Sequence, residues 1–153
     1  MSAKTGSDPP ARTADGGPGG FDPAAIAQAE AAVAALAADY RNWVRADLAQ
    51  LQEAWEKASA GTEGRRTHLD AMFTTAHNIK GQAGTFGYPL VGRIAGSLCA
   101  YLRRAESAAD LNILAAHVEA LRAILANGVS GDGGPLGREI AEGLEKAARR
   151  APG

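Results

Sequence analysis

Residues 69–90 read LDAMFTTAHNIKGQAGTFGYPL. Leu69, Met72, Phe73, Ala76, Ile79, Ala83 and Phe86 recur at three- and four-residue spacing, which predicts an amphipathic helix with a single apolar stripe. Gly87 and Pro89 then break the chain, and Pro89 suits the first turn of a following helix. The helix also carries His77, Lys80, Gly81 and Gly84. At 3.6 residues per turn, His77 points roughly 120° from the centre of the stripe, at the edge of the buried face or outside it. Lys80, Gly81 and Gly84 follow it at i+3, i+4 and i+7, so they share its side of the helix. Each interior glycine costs about 1 kcal/mol against alanine. Alanine is abundant in the rest of the chain, yet these two positions lack it.

The pattern continues on both sides. Residues 1–20, MSAKTGSDPPARTADGGPGG, show no periodicity and are expected to form a disordered tail. Order is expected from Phe21, with Asp22 as a cap and Pro23 in the first helical position. Ile26, Val33 and Leu36 outline a first helix, and Tyr40, Val44, Leu48, Leu51 and Trp55 a second segment that Gly61 and Gly64 end. Periodicity does not decide whether the chain bends or continues at Asp39 and Tyr40. After Pro89, Val91, Ile94, Ala95, Leu98 and Leu102 mark the next helix. Asp110 can cap another, with Leu111, Leu114, Val118, Leu121 and Leu125 on its stripe, and Asn127-Gly128 stops it. GDGGP is read as a loop, and Leu136 to Arg150 as a weaker helix with Leu136, Ile140 and Leu144 as its docking stripe. Short connections favour antiparallel neighbours. The expected fold is therefore all-α: an antiparallel up-down four-helix bundle with an additional N-terminal helix and a peripheral C-terminal helix. The bundle spans 21–128, and 129–153 is a loop plus a helix that packs on it or frays.

Composition narrows the classes of function. The 153 residues carry 16 basic and 17 acidic side chains, so no charge excess points to nucleic acid or an anionic membrane. A single cysteine, Cys99, excludes an internal disulfide and fits a reducing, cytoplasmic setting. No run approaches the ~18 apolar residues of a membrane span, and the N-terminus lacks the apolar core of a secretory signal. A glycine-rich nucleotide loop, a Walker lysine and an acidic cluster beside His77 are all missing from the sequence. The chain is therefore expected not to be an enzyme that uses ATP itself.

What remains is the histidine face. Imidazole titrates near neutrality and is a good nucleophile in its neutral form. Bare positions at 81 and 84 would let another protein bring a bulky reacting group to the ring, and the Lys80 ammonium would lie where phosphoryl oxygens arrive. The same glycines would equally serve close packing against a neighbouring helix, with His77 an ordinary surface residue.

The segment HNIKGQAGTFG resembles the active-site helix of histidine-containing phosphotransfer (Hpt) domains, through His77, Ile79, Lys80, Gly81, Gly84, Phe86 and Gly87. It is also similar to the phosphotransfer domain of chemotaxis histidine kinases. The resemblance implies a bacterial, cytoplasmic, monomeric relay protein of two-component signalling. In it His77 is the phosphoacceptor, Lys80 stabilises the phosphoryl group, and Gly81, Gln82 and Gly84 meet the partner. Those partners are receiver domains of response regulators or hybrid histidine kinases, and any Mg²⁺ belongs to the receiver. The resemblance also covers a detached phosphotransfer domain of a chemotaxis-type kinase, phosphorylated in trans. A helical adaptor with an incidental histidine is a further alternative from a different class. Many family members place a glutamine 22 residues after the histidine. Cys99 stands there in this chain, so Gln82 or a water is expected to orient the ring.

Other residues carry blander expectations. His68 and His77, nine apart, lack metal-ligand spacing. His117 is read as a flank residue, Cys99 as a small core filler, and Trp43 and Trp55 as partly buried packing. Gly92 and Gly96 are read as permitting a close helix approach. The arginine pairs at 65–66, 103–104 and 149–150 are read as solvated helix ends.

Overall fold

The computed structural model describes residues 22–151; the tail expected over residues 1–20 lies outside them. Helices follow in the order α1 (Pro23–Ser59), α2 (Arg65–Ala83), α3 (Pro89–Ala105), a 3₁₀ turn (Glu106–Ala108), α4 (Leu111–Ala126) and α5 (Gly134–Arg150), with no strand among the described residues. None of these helices is long and apolar enough to cross a membrane. The chain divides into two compact units, Met1–Ala38 and Asp39–Gly153.

The additional N-terminal helix is not a separate element. It is the first part of α1, which runs without interruption from Pro23 to Ser59. Ala37 and Ala38 are strong helix formers and Asp39 costs only a fraction of a kcal/mol, so nothing there breaks the chain. Asp22 caps as expected, accepting from the Ala24 amide at 3.1 Å. In the first unit Ile26, Val33 and Leu36 are exposed.

The core lies in the second unit. Tyr40, Val44 and Leu51 of α1, Met72 and Ile79 of α2, Ile94 and Leu98 of α3, and Leu114 and Leu121 of α4 are all buried. Helix α2 packs against α3, α3 against α4 and α5, and α4 against α5. Gly92 sets the approach of α3 to α2, because a Cβ there would lie 3.3 Å from the Ala83 methyl. Helix α2 closes in a Schellman motif: the Tyr88 amide donates to Ala83 O (2.8 Å) and the Gly87 amide to Gly84 O (3.3 Å), with Gly87 at φ 87°. Phe86 falls in that closing turn and stacks on Tyr40, with centroids 4.9 Å apart. Trp55 is partly buried and donates to Leu111 O at 2.9 Å, whereas Trp43 is half exposed.

Helix α5 is docked on α3 and α4, but of the stripe the sequence offered Leu144 alone packs against the core. Leu136 is 67% and Ile140 38% exposed, while Gly137, Ala141 and Ala148 are buried. A Cβ on Gly137 would lie 2.6 Å from Asp132 O, so this end of the helix sits too close for any larger residue. Arg93 grips Glu145 with two 2.8 Å hydrogen bonds, which hold the Glu145 carboxyl below its usual range. Arg104 is not a free helix end: it donates to Ala148 O in the last turn of α5 and to Ala151 O just past its end.

His117 is likewise not a flank residue. It is fully buried between helices. Its Nδ1 lies 2.8 Å from Ile113 O, which can only accept, so Nδ1 carries the proton. The Ser97 hydroxyl therefore donates to Nε2 at 2.9 Å, joining α3 to α4. Burial pushes the His117 pKa down, against raising contributions from the Ile113 carbonyl and Glu145. A base lowered in the folded state gives stability that is complete above its unfolded value of about 6.5. That stability is lost as pH falls through the window below. The urea midpoint of the wild type is expected to drop between about pH 7 and pH 5, above the ordinary carboxylate range. His117→Gln should have a lower midpoint at pH 7 and a smaller drop. Identical pH slopes for the two proteins would exclude His117 as the source.

Candidate functional site

His77, Lys80, Gly81 and Gln82 all stand exposed on α2, with Gly84 exposed in the closing turn behind them. Cβ atoms built on Gly81 or Gly84 would meet nothing within 4 Å. Neither glycine, then, serves close packing of a neighbouring helix. Gly84 is right-handed (φ −64°, ψ −38°), so its backbone accepts any residue. Both sites are free of structural need for glycine, and removing an interior helix glycine gains up to about 1 kcal/mol. Gly81→Ala and Gly84→Ala are expected to raise the melting temperature by about 2–4 °C, measured by thermal denaturation. A lower melting temperature would show a packing role.

Gly96 has a different neighbour from the one its spacing implied. The atoms nearest its ideal Cβ are Cε, Cδ and Cγ of Lys80, at 3.5, 3.6 and 4.0 Å. The lysine stem crosses α3 over this bare position. That contact fixes where the stem runs, although the side chain as a whole remains exposed.

Two more side chains of this face lie outside the motif. The Phe73 ring, one turn before His77, stacks on the imidazole with centroids 5.9 Å apart and planes 12° from parallel. The Arg103 guanidinium of α3 lies 5.2 Å above the Phe73 centroid. Arg103 is exposed in the last turn of α3, as expected of a helix end, and is also in contact with Phe73. Its signal in the sequence is weak: Phe73 and His77 are an i, i+4 pair, but the link to α3 is a tertiary contact.

Cys99 is buried, and its thiol donates a long 3.9 Å hydrogen bond to Phe73 O. Burial pushes the thiol pKa up, while Lys80 and Arg103 act to lower it. Both cations are therefore near this edge of α3. No hydrogen bond joins Cys99 or Gln82 to the His77 ring among the described residues. His68, at the start of α2, is partly buried.

The Hpt domain family model matches residues 35–127, well over half of the chain. The chain belongs to the Hpt domain family. No curated protein and no solved structure matches it. The Hpt match takes in α2, α3 and α4 whole and all the buried residues of α1, and it stops before α5. Membership implies histidine phosphotransfer in phosphorelays, with receiver domains as the interacting class, and a carrier in place of an enzyme with turnover.

Proposed function

We propose that His77 is the phosphoacceptor of this Hpt domain, taking a phosphoryl group from a receiver aspartate and passing it to another. One observation carries the proposal: an exposed imidazole shares its side of α2 with two bare glycines and a lysine whose stem is laid down on Gly96. A nitrogen lone pair forms the N–P bond while the P–O bond to the donor aspartate breaks, and the electron pair leaves on the carboxylate. The reverse step delivers the group to the acceptor. Lys80 balances charge on the phosphoryl oxygens. Gly81, Gly84 and Gln82 form the surface that the receiver covers. Mg²⁺ enters with the receiver.

The proposed scaffold is an antiparallel four-helix bundle made by α1 from Tyr40 onward with α2, α3 and α4, which all contribute to one core. Helix α5 braces it from outside the matched region. The protein works as a cytoplasmic monomer with receivers of response regulators or hybrid kinases. The test is incubation with a panel of phosphorylated receivers and, separately, with histidine kinases and ATP. Acid-labile, base-stable label arriving from a receiver supports the relay. Label arriving only from a kinase with ATP assigns a detached kinase domain, and label from neither leaves an adaptor.

A further inference from the structure

The exposed His77 ring has no hydrogen bond to hold it among the described residues, yet it is not unconstrained. We infer that Phe73 is the positioning residue for His77, fixing the imidazole plane by stacking and itself held by Arg103 from α3. The inference rests on His77 being the phosphoacceptor.

The geometry gives the reason. An exposed histidine on a helix turns readily about its last torsion, whose preference is broad. Centroids at 5.9 Å with planes 12° apart form an offset stack, within the range aromatic pairs favour. The lone pair of an imidazole nitrogen lies in the ring plane. A ring held parallel to Phe73 therefore aims that lone pair past the phenyl edge, and not into its face. Phosphoryl transfer needs the attacking and leaving atoms roughly in line, so a fixed plane removes one misaligned freedom before the donor arrives.

Phe73 needs its own anchor. It is only partly buried, at the rim of the core, and lines a groove of about 230 Å³ together with Leu69, Leu102, Arg103 and Glu106. The Arg103 guanidinium 5.2 Å above its centroid is a cation–π contact across helices. The Cys99 thiol hydrogen-bonds the Phe73 carbonyl from the same helix as Arg103. Thus α3 holds Phe73, and Phe73 holds the ring.

The test uses the full chain and phosphoramidate, a small donor that reports on chemistry without partner docking. The imidazole lone pair forms the N–P bond, and the donor's protonated amine leaves as ammonia with the bonding pair. Wild type, Phe73→Leu and Phe73→Tyr are compared by labelling rate and by the NMR shifts of the His77 ring protons, which a stacked phenyl displaces. Phe73→Leu is expected to label roughly 10- to 100-fold more slowly, with the ring-proton shifts moved toward those of a free histidine. Phe73→Tyr should restore both. Wild-type labelling and shifts in Phe73→Leu would overturn the inference while leaving the phosphoacceptor assignment standing. Equal impairment in Phe73→Leu and Phe73→Tyr would also overturn it, since stacking would not be the cause. A wild-type chain labelled by neither phosphoramidate nor phosphorylated receivers would overturn both.

Discussion

His77→Gln is expected to yield a folded protein that accepts no phosphoryl group from any donor. The side chain is exposed on a regular stretch of α2, away from the caps. Glutamine is a good helix former, and substitutions at such surface positions fall within about 0.5 kcal/mol. The substitution removes the stack on Phe73, which is worth about 0.5–1.5 kcal/mol at most. Far-UV circular dichroism should be unchanged and the melting temperature should fall by no more than about 2–4 °C. Chemistry has no substitute, because an amide nitrogen is not a nucleophile at neutral pH. The other two histidines have neither the lysine at i+3 nor the bare positions at i+4 and i+7. His117 is enclosed, with Ile113 O and Ser97 Oγ on its two nitrogens. Label retained in His77→Gln, or mapped to His68 or His117, would refute the assignment.

The sequence is most legible where breakers and caps mark the ends of elements. Gly87 and Pro89 delimit α2 and α3, Asp110 accepts from the Asn112 amide at 2.8 Å, and Gly128 closes α4 in the left-handed region. It is least legible where the deciding partner is distant in the chain. His117 is buried because Ser97, on another helix, satisfies its second nitrogen; no local spacing encodes that partner. Helix α5 misleads for a related reason. Counting large apolar residues selects Leu136, Ile140 and Leu144, but of these Leu144 alone packs against the core, and the rest of the interface is closed by Gly137, Ala141 and Ala148, small residues that admit a close backbone. At the site, the helical period alone places the residues along α2 on one face. Arg103 and the bed that Gly96 gives to Lys80 depend on how two helices cross, which no period within one helix encodes.

Lys80→Ala is expected to slow phosphotransfer roughly 10-fold to 1,000-fold, the usual consequence of removing one charged stabiliser of a developing anion. The position of the stem makes the loss specific. Its Cγ, Cδ and Cε atoms run over Gly96, within 3.5–4.0 Å of where a Cβ would stand, so the ammonium is delivered along a fixed track and not by a freely swinging chain. Arginine would keep the charge but bring a planar fork of different reach, and should restore only part of the rate. Stability should hardly respond, since an exposed lysine with no close acidic partner among the described residues contributes little; the melting temperature is the control. The track can be tested separately. Gly96→Ala adds a Cβ at ordinary contact distance from the stem and should leave transfer near the wild-type rate. Gly96→Leu occupies the space through which the stem passes and should slow transfer even though Lys80 is intact. Stopped-flow transfer from a phosphorylated receiver measures all four variants. Wild-type rates in Lys80→Ala would reduce this lysine to a surface residue. A slow Lys80→Ala beside an unaffected Gly96→Leu would keep the charge role and remove the track.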